Sequence, residues 1–174
     1  MNSAALLHVR GIVTGFGDRF EGVLRMLWPD FNVLGDLPSG IHRATIAEVI
    51  AHFGHGTAQR VAITARLERL YELARRTGHI QRFIIFGSYV TAEPNPRDVD
   101  IFLVMRGGFQ PHDTTPEAQH LFQHDTAQSE FGASIFWVNT GTSFADIEDL
   151  IIGWQTRRDL QRRGIVEVID HDRE

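Results

Sequence analysis

Two aspartates stand one residue apart, Asp98 and Asp100, at the mouth of the apolar run "DVDIFLV" (98–104). Alternate residues of a strand face the same way, so both carboxylates share one face and Val99 takes the other. Side by side they repel, and each raises the other's pKa unless a cation lies between them. Oxygen-only donors suit a hard ion such as Mg²⁺ (or Mn²⁺), which takes one or two carboxylates and fills its shell with water and substrate phosphates. Upstream, Gly87-Ser88 follows a second apolar run, "RFIIF" (82–86). Glycine lets the backbone come close to a phosphate, and the serine hydroxyl is a donor. "SYVTAE" is expected to open a short helix whose free N–H groups add to it. A phosphate cradle and a metal pair on adjacent strands describe a nucleoside triphosphate site, with in-line attack on phosphorus as its chemistry.

Composition narrows the alternatives. The 174 residues are 43% hydrophobic, enough for one compact domain and too few for two of ordinary size. Cysteine is absent, which excludes disulfides, thiolate nucleophiles and Cys-based metal sites. Lysine is absent too: all 17 basic residues are arginine, so there is no phosphate-loop lysine and no Schiff base. A net charge of −5 argues against a broad DNA-binding surface. No apolar run reaches about 18 residues, so no membrane partner is expected. "AALLHVRGIV" lacks the basic start of a signal peptide, and a cytoplasmic protein is expected.

The elements that must position these residues follow from periodicity. "VLRMLWPDF" (23–31) reads as a short helix stopped by Pro29, and "GDLPSGIH" (35–42) as a turn-rich loop. Residues 1–44 are therefore taken as an N-terminal segment and lead-in loop, and 45–174 as the domain proper. Thr45 and Glu48 have capping-box spacing ahead of Ile46, Val49, Ile50 and Phe53. Residues 58–77 form the clearest helix, with Ile63, Leu67, Leu70, Tyr71 and Ala74 on one stripe, arginines elsewhere and Gly78 at its end. The runs 82–86 and 98–105 predict central strands covered on both faces. Thr115-Pro116 predicts a helix with Ala118, Leu121 and Phe122 inward. "ASIFWV" (133–138) predicts a third strand. Ser143 and Asp146 cap a helix bearing Ile147, Leu150, Ile151 and Trp154, and "GIVEVI" (164–169) predicts a last strand. The succession is one α/β domain and leaves strand pairing open.

At "FGSYVTAEPNPRDVDIFLV" (86–104) the sequence resembles the nucleotidyltransferase superfamily, the one that includes DNA polymerase β and the minimal bacterial nucleotidyltransferases. The resemblance is specific over roughly 82–105. With "DLPSGIHRAT", "IFWV" and "GIVEV", most of the chain also looks like an uncharacterised bacterial family with that fold. The resemblance implies a small mixed sheet with flanking helices. It also implies Mg²⁺ on Asp98 and Asp100, and a triphosphate, ATP by preference, with its β/γ-phosphates on Gly87 and Ser88. A protein, RNA or small-molecule acceptor is implied, with tRNA or a cognate toxin–antitoxin partner as the natural candidates. It further implies a third carboxylate on the strand after the next helix. There "GASIFWV" offers Ser134 and no acid; the second glycine of the usual motif is also missing from "GSYVTAE". Glu167 is the preferred substitute as third catalytic acid, ahead of Glu130 and Asp146. The missing acid keeps open a second reading, a degenerate member acting as a nucleotide sensor or antitoxin-like binding module.

Other clusters have simpler readings. His120 and His124 lie one helical turn apart without a third ligand, as on an exposed polar helix face; His52 and His55 flank a helix end. Arg157, Arg158, Arg162 and Arg163 suit either a phosphate or a solvated helix terminus, and the terminus is the favoured reading. His42 and Arg43 belong either to a lid over the nucleotide or to a structural loop.

Overall fold

The computed structural model describes residues 27–141 and 146–170, a mixed α/β fold. In chain order the elements are β1 (Gly40–Ala44), α1 (Ile46–Phe53), α2 (Ala58–Arg76), β2 (Ile80–Phe86), β3 (Val99–Met105), α3 (Pro116–Gln119), α4 (His124–Phe131), β4 (Ala133–Asn139), α5 (Ile147–Gln155) and β5 (Gly164–Val168). The five strands form one mixed sheet in the order β1-β5-β2-β3-β4. β5 runs parallel to β1 and antiparallel to β2; β3 runs antiparallel to β2 and parallel to β4. None of the described helices is long and apolar enough to cross a membrane.

The predicted caps are real. Thr45 Oγ1 accepts from the Glu48 amide at 3.2 Å while Glu48 Oε2 accepts from the Thr45 amide at 2.8 Å, the reciprocal capping box. Thr115 caps α3, and Asp146 caps α5 by accepting from the Glu148 amide at 2.8 Å. Ser143 and residues 23–26 lie outside the described residues. Phe83 to Phe86 and Ile101 to Met105 are buried, as continuous apolar runs covered on two faces must be. One face packs Phe83, Ile85, Ile101, Leu103 and Val166 against Val49 and Phe53 of α1 and Ile63, Leu67 and Leu70 of α2. The other packs Ile84, Phe86, Phe102 and Ile165 under Ile151 and Trp154 of α5, whose indole stacks on Phe86 at 4.7 Å.

Three expectations are corrected. Residues 40–44 are an edge strand, so the lid reading of His42 and Arg43 does not hold: His42 Nε2 bonds the Pro38 carbonyl at 2.8 Å and Arg43 bonds Glu167. "SYVTAE" yields only a three-residue 3₁₀ turn, Ser88–Val90. The helix begun at Thr115 breaks into α3, a 3₁₀ turn (His120–Phe122) and α4, so His120 and His124 share no helix face.

One arginine of α2 is not on the surface. Arg60 is 6% exposed. Its Nε and Nη2 donate to the Glu93 carbonyl at 3.0 and 2.5 Å, Nη2 to Thr91 at 2.6 Å, and Nη1 to Tyr89 at 3.0 Å and Phe53 at 2.9 Å. A planar fork of five N–H donors can satisfy that set of carbonyls; no other side chain can. We predict that Arg60→Leu strips a shared donor from four carbonyls and destabilises the fold by about 3 kcal/mol or more. Arg60→Lys is expected to recover only part of that in urea unfolding.

Candidate functional site

β2 and β3 pair so that Phe86 faces Asp100, and Gly87 leaves β2 directly beside the Asp100 side chain. A Cβ on Gly87 would lie 1.8 Å from Asp100 Oδ2 and 2.7 Å from its Cγ. The backbone there has φ +78° and ψ −160°, a region that only glycine enters without strain. Gly87 is thus fixed twice, by conformation and by a carboxylate resting against its α-carbon. The turn then presents Ser88, half-buried, whose hydroxyl makes no hydrogen bond to another described residue.

Asp98, just before β3, shares the α5 face of the sheet with Asp100. β4 lies parallel to β3 with Ser134 in register with Asp100. Ser134 Oγ lies 3.1 Å from Asp98 Oδ2 and 3.1 Å from Gln128 Oε1, two acceptors for one hydroxyl proton. Burial pushes the Asp100 carboxyl up to about 6, and the Asp98 charge adds to the push. Arg163 opposes it without overcoming it. The pair is incompletely compensated.

Beside it a cleft of about 670 Å³ is lined by Ser88, by Leu34 to Asp36, by Thr91 to Pro94, and by Arg157, Arg158, Asp159 and Arg163. Asp36 is 3% exposed and accepts from Arg157 Nη1 at 2.6 Å. The structure therefore brings together Gly87, Ser88, Asp98 and Asp100. It does not bring Glu167 to them. β5 stands two strands from β3, about 10 Å across the sheet, and Glu167 lies two residues further along, about 7 Å. Glu167 is instead 7% exposed and held by Arg82, Nε to Oε1 at 2.6 Å and Nη2 to Oε2 at 3.1 Å, with Arg43 Nε at 3.3 Å. The weaker substitutes are engaged as well: Glu130 bonds His120 at 2.7 Å, and Asp146 caps α5. Among the described residues no group of three or more His, Cys, Asp or Glu is placed to hold a metal. Two carboxylates on one face, flanked by waterside cleft and a free hydroxyl, still fit the donor set of a single hard ion completed by water and phosphate.

Sequence reasoning missed Arg60, Arg82 and the cleft. Only Arg82 left a signal: a charge at the head of an apolar run, two strands' worth of chain from a lone buried glutamate.

The fold and site define an α/β protein with a paired carboxylate beside an arginine-lined cleft. The chain belongs to DUF6932, a family of unknown function, which it matches over residues 29–169. No curated protein and no solved structure matches it.

Two predictions follow from the Gly87 contact and the acid pair. Gly87→Ala should destabilise the fold by about 1–3 kcal/mol from backbone strain alone. It should cost measurably less in an Asp100→Ala background, where the carboxylate clash is gone and only the 3.0 Å contact with the residue-100 Cβ remains; chemical unfolding of the four proteins of this cycle measures the difference. Asp100 has a folded pKa above its unfolded one, so its ionisation opposes folding. That penalty is absent below about pH 4, grows as pH rises towards 6, and is complete above it. Asp100→Asn should accordingly raise Tm at pH 8 and leave it nearly unchanged at pH 4.

Proposed function

We propose that this protein is a metal-dependent nucleotidyltransferase that moves a nucleoside monophosphate from a triphosphate, ATP by preference, onto an acceptor hydroxyl. The observation that supports the reading best is the Gly87–Asp100 contact, which joins a phosphate-type turn and a carboxylate pair into one surface. Asp98 and Asp100 would hold Mg²⁺, which when bound neutralises charge on the phosphates and the leaving group. Ser88 donates its free hydroxyl to a phosphate oxygen, and the absence of a Cβ at Gly87 lets the chain approach. The acceptor oxygen bonds to the α-phosphorus as the bond to the bridging oxygen breaks. Pyrophosphate leaves, and the acceptor proton passes to water or to a carboxylate. Positioning and charge neutralisation carry most of the rate, so no side-chain nucleophile is required.

A second reading is favoured by one observation: Ser134 occupies the register position beside Asp100 where an acid would complete the site, and its hydroxyl bonds Asp98. On that reading the protein binds nucleotide as a sensor and transfers nothing.

Incubation with ATP labelled at the α-phosphate, with protein and tRNA fractions as acceptors, separates the two. Transfer by the wild type that falls by roughly 100-fold or more in Asp98→Asn and Asp100→Asn supports the enzyme. Saturable Mg²⁺-dependent ATP binding in calorimetry with no transfer supports the sensor. Wild-type binding that is absent, or unchanged in both variants, overturns the site.

A further inference from the structure

We propose that Arg158 and Arg163 form the cationic side of the cleft and grip the polyphosphate tail of the nucleotide together with Ser88. This rests on the nucleotide-binding reading above and extends it to residues that the sequence places at a helix end.

They are not at a helix end. α5 stops at Gln155, and the chain then folds back on itself: Thr156 bridges Arg162, the Arg157 amide donates to the Gln161 carbonyl at 2.9 Å, and the Leu160 amide to the Arg157 carbonyl at 3.0 Å. Leu160, at φ +66°, makes the tip. The Arg163 amide donates to the Gln155 carbonyl at 2.9 Å, closing the base of this loop where β5 begins. Its arginines are therefore presented by a fixed turn, and three of the four line the cleft with Ser88.

Their states differ. Arg157 is engaged, by Asp36 at 2.6 Å and by Asp159 at 3.6 Å. That leaves Glu93 as the remaining acid in the lining, and one of its oxygens accepts from the Asn95 amide. Arg158 is exposed and has no hydrogen-bond or ion-pair partner among the described residues. Arg163 is half-buried, and its Nε–H is buried without a hydrogen-bond partner among the described residues. A buried N–H of a guanidinium is seldom left unpaired, and an anion oxygen entering the cleft is the partner its chemistry suits. Two guanidinium forks and a hydroxyl, lining one cavity of about 670 Å³, match a run of adjacent phosphoryl groups better than a single carboxylate. The net charge of −5, and the acids in the lining, make the cleft a poor match for a nucleic-acid backbone.

Calorimetric titration with sodium tripolyphosphate in EDTA at pH 8 tests this without metal, base or transfer. The wild type should bind saturably with one site. Arg158→Gln and Arg163→Gln should each weaken binding by about 10-fold or more. Arg162→Gln removes the same charge from the same loop outside the cleft, and should stay within about 2-fold. Arg158 is exposed, so its variant remains informative if Arg163→Gln proves poorly folded by circular dichroism. No binding by the wild type, or equal weakening by Arg158→Gln and Arg162→Gln, overturns the proposal. Tripolyphosphate binding that survives Asp98→Asn, in a protein that transfers nothing, leaves this proposal standing while the nucleotidyltransferase reading fails.

Discussion

The buried guanidinium of Arg60 is the contact on which the site depends. It holds the loop after the Gly87-Ser88 turn by the carbonyls of Tyr89, Thr91 and Glu93, and ties it to the end of α1 through Phe53. That loop in turn bridges the segment before β1, Asp36 to Thr91, with the Ala92 amide donating to Gly35. Asp36 receives Arg157, and Arg157 anchors the arginine turn that leads into β5. Burial lowers the pKa of Arg60, yet a guanidinium keeps its proton, so the clamp is always charged and never a switch. Carbonyl oxygens rather than a carboxylate surround it. The charge is thus solvated by the backbone it orders, and it pairs the buried carbonyls of Phe53 and Tyr89.

The α5 face of the sheet carries acids in two places, and the fold treats them differently. Glu167 is given a bidentate partner in Arg82, a second cation in Arg43, and Arg82 also reaches Glu148 at 2.7 Å. Nothing about it asks for a ligand. Asp98 and Asp100, on the same face, receive one serine hydroxyl, on Asp98, and the opposing charge of Arg163. A fold that can neutralise a buried carboxylate so fully in one place, and leaves a pair under repulsion in another, has kept that pair available. This contrast, more than the spacing of the aspartates, supports the proposal that the pair is a site and not merely a strand end.

Much of the architecture was legible in the chain. The runs at 82–86 and 98–105 read as central strands because strands covered on both faces lose the alternation that marks an exposed one. α2 announced itself by a stripe of five apolar residues, and Thr45 by its reciprocal partner. What escaped had no local signature. "GIHRA" has two apolar residues and a glycine at its start; it is a strand because β5 offers it a ladder, which is knowledge of a segment more than a hundred residues away. Arg60 looked like any arginine on the polar side of a helix, since the carbonyls that bury it belong to a loop with no pattern of its own. The arginines after α5 looked like a helix terminus because charge composition is silent about where a chain turns. Glu167, a lone charge among apolar neighbours, was read as the third catalytic acid, but its partners sit on β1 and β2.

The position of β5 sets the order in which the molecule can be made. The last of the described strands fills the gap between β1 and β2, elements far upstream of it, with β3, β4 and α3 to α5 intervening even between β2 and β5. As the polypeptide leaves the ribosome, β2, β3 and β4 can pair in sequence, but β1 has no neighbour and β2 keeps one open edge until Gly164–Val168 emerges. Until then Ile84 and Ile85 lie on a naked ladder, and Arg82 and Arg43 wait without their glutamate. Two uncompensated charges would then stand at the unfilled gap, the placement that disfavours edge-to-edge pairing with another chain. Arrival of Glu167 gives both guanidinium groups a shared carboxylate as the gap closes.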